Sequence, residues 1–378
     1  MEYRRAAIPA VAGGLMVTLL LWWAGASAEA LRLEGANDVL GFAAVADLQR
    51  WLLPWAYEPS GTAGGYVDGT GASRYLDLHH TAIQIRFAAV FVLYTAGALL
   101  LIRRLPAERG HRTWAALLAL WAWGLVAATL AVTVSAPWLI AAGGHGSYRF
   151  LPQLAAASAS GRQIAVPVAL VTAAWTVFVA RLALKDTEPQ PRENPPTRPA
   201  VLAATAGTAV VAVSLIVLSY QENAATLQTA FTGSGLFGEP GDLLRQWLLL
   251  GAWSGPAGAP LGDWLLYRLG DALLLAVVWC ALRWLPALLT RVSVPAMAAG
   301  GICAIVLGLL TEQALRLAQD GTGTGSRLLY MASGLGEGVT AALLWGVLAG
   351  VAATVTLRAA VGRTVPPPAV RPAGTETG

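Results

Sequence analysis

The residues able to do chemistry are few, and most sit at the edges of long apolar runs. Ten stand out: Glu29, Asp47, Arg50, Arg86, Glu222, Asp242, Arg245, Arg268, Asp271 and Glu312. Ionisable groups deep in lipid are costly and usually functional. Here the central turns of most apolar runs are uncharged, so a proton relay across a bilayer is not expected. Arg86, Arg268, Asp271 and Glu312 fall near one end of their runs. They could pair with one another or with Glu29 and Glu222, as structural ion pairs or as a binding cluster. Asp47 and Arg50 lie three apart, as do Asp242 and Arg245, so each couple forms neighbours on a helix. Glu29, Glu222, Asp47 and Asp242 are the candidate acid/base groups if the chain is an enzyme.

Other chemistry finds little support. His79, His80, His111 and His145 all lie outside the centres of apolar runs, which disfavours a haem held between facing helices. Asp77 beside His79 and His80 could ligate a metal, but adjacent histidines on an extended segment point opposite ways. Cys280 and Cys303 both fall in apolar runs, so neither a disulfide framework nor a zinc site is expected. Glycine-rich words at Gly61–Gly65, Asp68–Gly71, Gly143-Gly144 and Gly321–Gly325 lack a Walker lysine, and Lys185 is the only lysine. They read as loops, and no cofactor is expected. Gly13-Gly14 and Gly346-x-x-x-Gly350 read as positions of close helix packing.

The elements that must hold these residues are membrane helices. Apolar residues make up 56% of the chain and charged residues 12%, with a mean hydropathy of +0.59, whereas soluble domains carry about 25% charged residues. The net charge of +4 comes from scattered arginines rather than a basic stripe with aromatics, which excludes nucleic acid as a partner. A bilayer core needs about 20 apolar residues per helix. Eight stretches qualify: Ile8–Ala26, Ala82–Ile102, Trp114–Val134, Ile164–Ala183, Ala200–Tyr220, Leu265–Leu285, Val294–Leu310 and Val339–Leu357. Pro167 and Pro295 are placed in first helical turns, where the missing N–H costs little.

A Pro- and charge-rich stretch, Lys185–Arg198, separates four runs from four. The two sides share ordered words. Asp47-Leu-Gln-Arg50 parallels Asp242-Leu-Leu-Arg245. Arg103-Arg104-Leu105-Pro106 parallels Arg283-Trp284-Leu285-Pro286. Gly161-Arg162-Gln163 parallels Gly336-Glu337-Gly338. The expected fold is an all-α polytopic membrane protein: eight transmembrane helices as two tandem parallel four-helix repeats, with extracytoplasmic interfacial helices. Residues 1–185 form the first repeat, 186–199 a cytoplasmic linker, 200–361 the second repeat and 362–378 a disordered tail. Trp- and Leu-rich stretches after Asp47 and Asp242 suit helices lying at the membrane surface.

With both termini cytoplasmic, fifteen Lys/Arg fall inside and ten outside, which matches the positive-inside tendency. Ala26-Ser27-Ala28 after the first run also resembles a signal-peptide cleavage site. The equivalent fifth run cannot be a signal, so the first is expected to be a helix of the fold. Alanine, leucine, arginine and tryptophan richness suits a bacterial cell-membrane protein. The leading functional expectation is a non-enzymatic component that docks a membrane-protein partner, besides the lipid bilayer, through outer loops and apolar helix faces. Transport of an apolar or lipid-like substrate between the repeats, and an outer-leaflet enzyme, are the alternatives.

Overall fold

The computed structural model describes residues 3–31, 33, 35–57, 71–104, 111–142, 149–183, 197–229, 238–251, 261–290, 292–320 and 334–362. Every regular element among them is a helix. In order they are α1 (Tyr3–Ala30), α2 (Ala36–Leu40), α3 (Phe42–Leu52) with a 3₁₀ turn at Leu53–Trp55, α4 (Gly71–Arg104), α5 (His111–Ala142), α6 (Phe150–Ala159) and α7 (Arg162–Ala183). Then come α8 (Thr197–Ala212) running into a π turn at Val213–Leu218, α9 (Gln221–Thr229), α10 (Gly241–Leu248), α11 (Leu261–Leu288), α12 (Val294–Asp320) and α13 (Val339–Gly362).

Eight rods are long and apolar enough to cross a membrane: α1, α4, α5, α7, α8 with its π turn, α11, α12 and α13. The chain is accordingly a multi-pass membrane protein. Most rods overrun the apolar windows in the sequence, α4 most of all at 34 residues. A backbone leaving lipid still gains by keeping its internal hydrogen bonds, so the helix outlasts the hydrophobic signal. α8 begins at Thr197, inside the stretch expected to be linker. The tail from residue 363 lies outside the described residues.

The rods pack as two four-helix sets. α1 and α5 each lie against both α4 and α7, and α8 and α12 each lie against both α11 and α13. α5 and α12 meet at the seam between the sets and are the two most deeply buried rods. Lipid removes most of the hydrophobic drive between helices, so close packing of small residues carries the association. Gly13 of α1 faces Thr176 and Tyr94, and Gly346 and Gly350 of α13 lie against the backbone of α12 near Ile302 and Ala298. Both glycine pairs therefore act as the sequence suggested.

Pro167 differs from expectation. α7 starts at Arg162, so Pro167 sits beyond the first turn and removes an internal donor. The indole of Trp121 donates to the Val166 carbonyl beside the proline at 3.0 Å. Pro295 is the second residue of α12, where it costs little.

The rods alternate in direction, and their ends differ. One end carries Arg5, Arg103, Arg104, Arg181, Arg198, Arg283 and Arg358. The other carries the short helices α2, α3, α6, α9 and α10, together with every described Asp and Glu. We call them the basic end and the cap end.

Candidate functional site

The cap end of the first set is built around Arg86. It sits on α4 and is 1% exposed. Its Nε donates to the Ser135 hydroxyl on α5 at 2.9 Å, and another guanidinium nitrogen donates to the Pro54 carbonyl. Its carbon lies 5.8 Å from the centre of the Trp55 ring, within cation–π range. Trp55 is itself buried, and its indole donates to the Gly161 carbonyl at 3.1 Å. A side chain at Gly25 on α1 would strike the Trp55 carbonyl. The 3₁₀ turn after α3 is thus a hook inserted among α1, α4 and α7.

The second set closes its cap end in a related way. Ser214, inside the π turn of α8, donates to the Leu248 carbonyl at 2.7 Å and accepts from the Leu250 amide at 3.3 Å. Trp345 of α13 donates to the same Leu248 carbonyl at 2.8 Å, and Thr340 donates to the Gln246 carbonyl at 2.8 Å. The π turn widens the helix, and its buried serine reaches the segment after α10, a use of such turns met at functional sites.

Between α11 and α12 four charges gather. Arg268 pairs with Asp271 at 3.1 Å, and Arg316 pairs with the buried Glu312. The Glu312 side chain lies against Gly270, where an added Cβ would come within 3.3 Å of its carboxylate oxygen. A methyl group there would be tight, and the Glu312 side chain would have to give by a few tenths of an ångström. Asp271 and Glu312 act on each other electrostatically. Arg316 stacks 5.0 Å from the Tyr267 ring centre, and Arg268 lies 6.0 Å from that of Trp264. Two cations and two anions balance.

A third group of contacts ties the sets together at this end. Arg162, 8% exposed, donates to the carbonyls of Ala159 at 2.8 Å and Gly336 at 3.4 Å, and the Glu337 charge acts on it. Gly161 and Gly336 both adopt left-handed φ values, 70° and 79°, which glycine reaches without strain. Gln313 of α12 accepts from the Gly336 amide at 2.9 Å. Gln246 of α10, with its amide nitrogen toward α6, donates to Ala155 at 3.1 Å and to Ser158 at 2.8 Å. Arg149 and Glu239, both at φ 57°, lie 3.8 Å apart.

Of the ten sequence candidates, the structure joins Arg268, Asp271 and Glu312 in one cluster. Arg86 lies in the first set, and Glu29 is not among its partners. Asp47 and Arg50 form the expected i,i+3 pair at 3.0 Å on α3. Asp242 and Arg245 occupy the matching places on α10, and with Glu29 they are engaged rather than free. Glu222 lies exposed in the first turn of α9. Sequence reasoning missed Arg316, although its i,i+4 spacing from Glu312 was readable. It also missed Trp55, Ser135 and Ser214 as site residues, and no local pattern marks them. His80 stacks on Tyr57 at 5.5 Å, and His79 keeps an imidazole nitrogen without a hydrogen bond. Among the described residues no three His, Cys, Asp or Glu groups gather as a metal set. The glycine-rich words before Gly71, at 143–144 and at 321–325 lie outside the described residues.

This arrangement can bind charge and hold helices in register, and it sits wholly at one end of an apolar bundle. Compared with known proteins, the chain matches no family model, no curated protein and no solved structure.

Proposed function

We propose that this multi-pass membrane protein is a non-enzymatic component that docks a membrane-protein partner through its cap end and apolar helix faces. The observation that carries the reading is the exposure of Val39 and Phe42, 84% and 79%, on the short helices α2 and α3. Both lie beyond the rods that lipid would cover, and large apolar groups exposed there mark contact surfaces. The seam adds support. Cys303 of α12 donates to the Ala119 carbonyl of α5 at 3.4 Å. The buried residues of both rods are apolar apart from Thr113, Thr129, Ser135 and Glu312. Such a seam gives a polar substrate little to follow, and it leaves transport of an apolar or lipid-like substrate between the sets as an alternative.

We further read the two sets as a tandem duplication with the basic end in the cytoplasm of a bacterial cell. The shared neighbour pattern, the Asp-x-x-Arg pairs of α3 and α10 and the left-handed Gly161 and Gly336 favour the first point. The basic end, whose charged groups among the described residues are all arginines, favours the second. An outer-leaflet enzyme is the second reading, favoured by the approach of Asp271 and Glu312 beside Gly270.

Photo-crosslinking tests the leading reading. A photoreactive residue at Val39 or Phe42 should yield one protein adduct of fixed mass in native membranes. That adduct should vanish when the other position becomes aspartate, while expression stays unchanged. Adducts to lipid alone at both positions would sink partner docking and leave α2 and α3 as surface anchors.

A further inference from the structure

We infer that the groove between α8 and α11 at the basic end holds the head group of an anionic phospholipid, with Arg198 and Arg283 as its charge partners. The rods bring the two arginines together. The indole of Trp279 on α11 donates to the Thr205 hydroxyl on α8 at 3.4 Å, which sets the register of this antiparallel pair. Arg198 lies seven residues before Thr205, and Arg283 lies four residues after Trp279. Both therefore fall on the faces that meet at that contact. They lie about 10 Å and about 6 Å beyond it toward the basic end, a step that two long side chains span. The Arg283 guanidinium stacks 5.2 Å from the Trp279 ring centre, within cation–π range. Both arginines are exposed, so the space beside them is open.

This whole end is arranged for more negative charge than the chain supplies. The segments that begin, join or follow the rods there carry fifteen Lys and Arg against six Asp and Glu, counted over the full sequence. If every one of those acids met a cation, nine cations would remain. α1, α5, α8 and α12 all start at this end, and none has an acid in its first turn. At the cap end, α2, α9 and α10 carry Asp38, Glu222 and Asp242 in theirs. A helix N-terminus is the positive pole of its dipole and favours anions. Arg198 sits in the first turn of α8, where that dipole opposes it. An anion beside Arg198 relieves both charges at once.

Lipid is the anion at hand. α8 and α11 are the two least-buried rods of the eight, so acyl chains cover their outer faces. Trp284, beside Arg283, is exposed, and indole rings favour the head-group level. Leu202, one turn beyond Arg198 on α8, is exposed as well. A phospholipid in this groove lays a chain on Leu202 and its phosphate between the two guanidinium groups, whose forks match paired phosphate oxygens. In the first set, by contrast, Arg103 and Arg181 have partners within the chain.

The test uses the full-length protein. It is reconstituted in nanodiscs of phosphatidylcholine with a minority of phosphatidylglycerol, and retained lipid is counted by native mass spectrometry. Wild type should keep phosphatidylglycerol selectively, and Arg198→Gln with Arg283→Gln should keep about thirtyfold less. Arg50→Gln with Arg149→Gln removes the same charge at the cap end and should keep as much as wild type. Equal losses in the two pairs, or no selectivity in wild type, overturn the site. If Arg198→Gln with Arg283→Gln fails to fold, the single changes take its place, and each should keep about fivefold less. Wild-type occupancy in both single variants overturns the site. A parallel arm adds inorganic phosphate in neutral detergent and follows the thermal midpoint. A rise there without selectivity in nanodiscs assigns the groove to a free anion and overturns the lipid. Neither arm bears on partner docking, which rests on Val39 and Phe42 at the other end.

Discussion

The indole nitrogen of Trp55 donates to the carbonyl of Gly161 across 106 residues of sequence, at 3.1 Å. The bond fastens the hook after α3 to the start of α7, and Gly161 presents its carbonyl from a left-handed conformation. Trp55→Phe keeps most of the ring volume and removes the donor. It should destabilise the protein by about 1–2 kcal/mol, because the carbonyl is left buried without its partner. Trp55→Ala should cost about 3–5 kcal/mol through the added cavity. Thermal or urea unfolding in detergent reads both, and equal losses for the two variants would deny the hydrogen bond its role.

Gly346 and Gly262 form a matched pair for the packing argument. A methyl group at Gly346 would enter the backbone of α12 near Ile302, which cannot move aside. At Gly262 it would meet nothing within 4 Å. Gly346→Ala should lower stability by about 1–3 kcal/mol, and Gly262→Ala should leave it unchanged or slightly raised. The same unfolding curves decide, and a neutral Gly346→Ala would mean that α12 and α13 are not held this closely.

Glu312 and Arg316 test whether the α11–α12 cluster is a coupled unit. Glu312 is nearly sealed, while the Arg316 side chain is 36% exposed. Arg316→Gln should cost about 1–3 kcal/mol by leaving a buried carboxylate without its cation. Adding Glu312→Gln should recover much of that loss. A double-mutant cycle measures the coupling, and strictly additive losses would break the pair.

Ser214→Ala removes a fully buried hydroxyl that serves both Leu248 and Leu250. The expected loss is about 1–3 kcal/mol. Hydrogen exchange should show the effect concentrated in residues 246–251, where Thr340 and Trp345 also attach. Uniform deprotection across the bundle would contradict a local tether.

Orientation has its own readout. In a background of Cys280→Ala and Cys303→Ala, Glu239→Cys should react with a membrane-impermeant thiol reagent added to intact cells. Arg198→Cys should react only after the cells are opened. The reverse pattern would place the basic end outside.

Much of this fold was legible because lipid imposes a coarse rule. Twenty apolar residues predict a rod, and all eight windows became one. What lay beyond the windows was less readable, since α6 is only ten residues long and too short to announce a crossing. The pairing of Asp47 with Arg50 followed from helical spacing, and that of Arg268 with Asp271 was one of several left open among the charges at the ends of the runs. The setting of Arg86 did not, because it depends on Ser135 and Pro54, placed against it by tertiary packing. Pro167 was misplaced because Arg162 opens α7 two residues before the apolar run begins, which moves the proline out of the first turn.

The two sets are stitched at three heights: Arg162 to Gly336 at the cap, Cys303 to Ala119 within the seam, and the Thr290 amide to the Arg104 carbonyl at the basic end, 3.0 Å apart. Fasteners at top, middle and bottom leave the pair no pivot. A gene severed within codons 184–196 and expressed as two polypeptides should therefore yield fragments that find each other in the bilayer and co-purify as one particle.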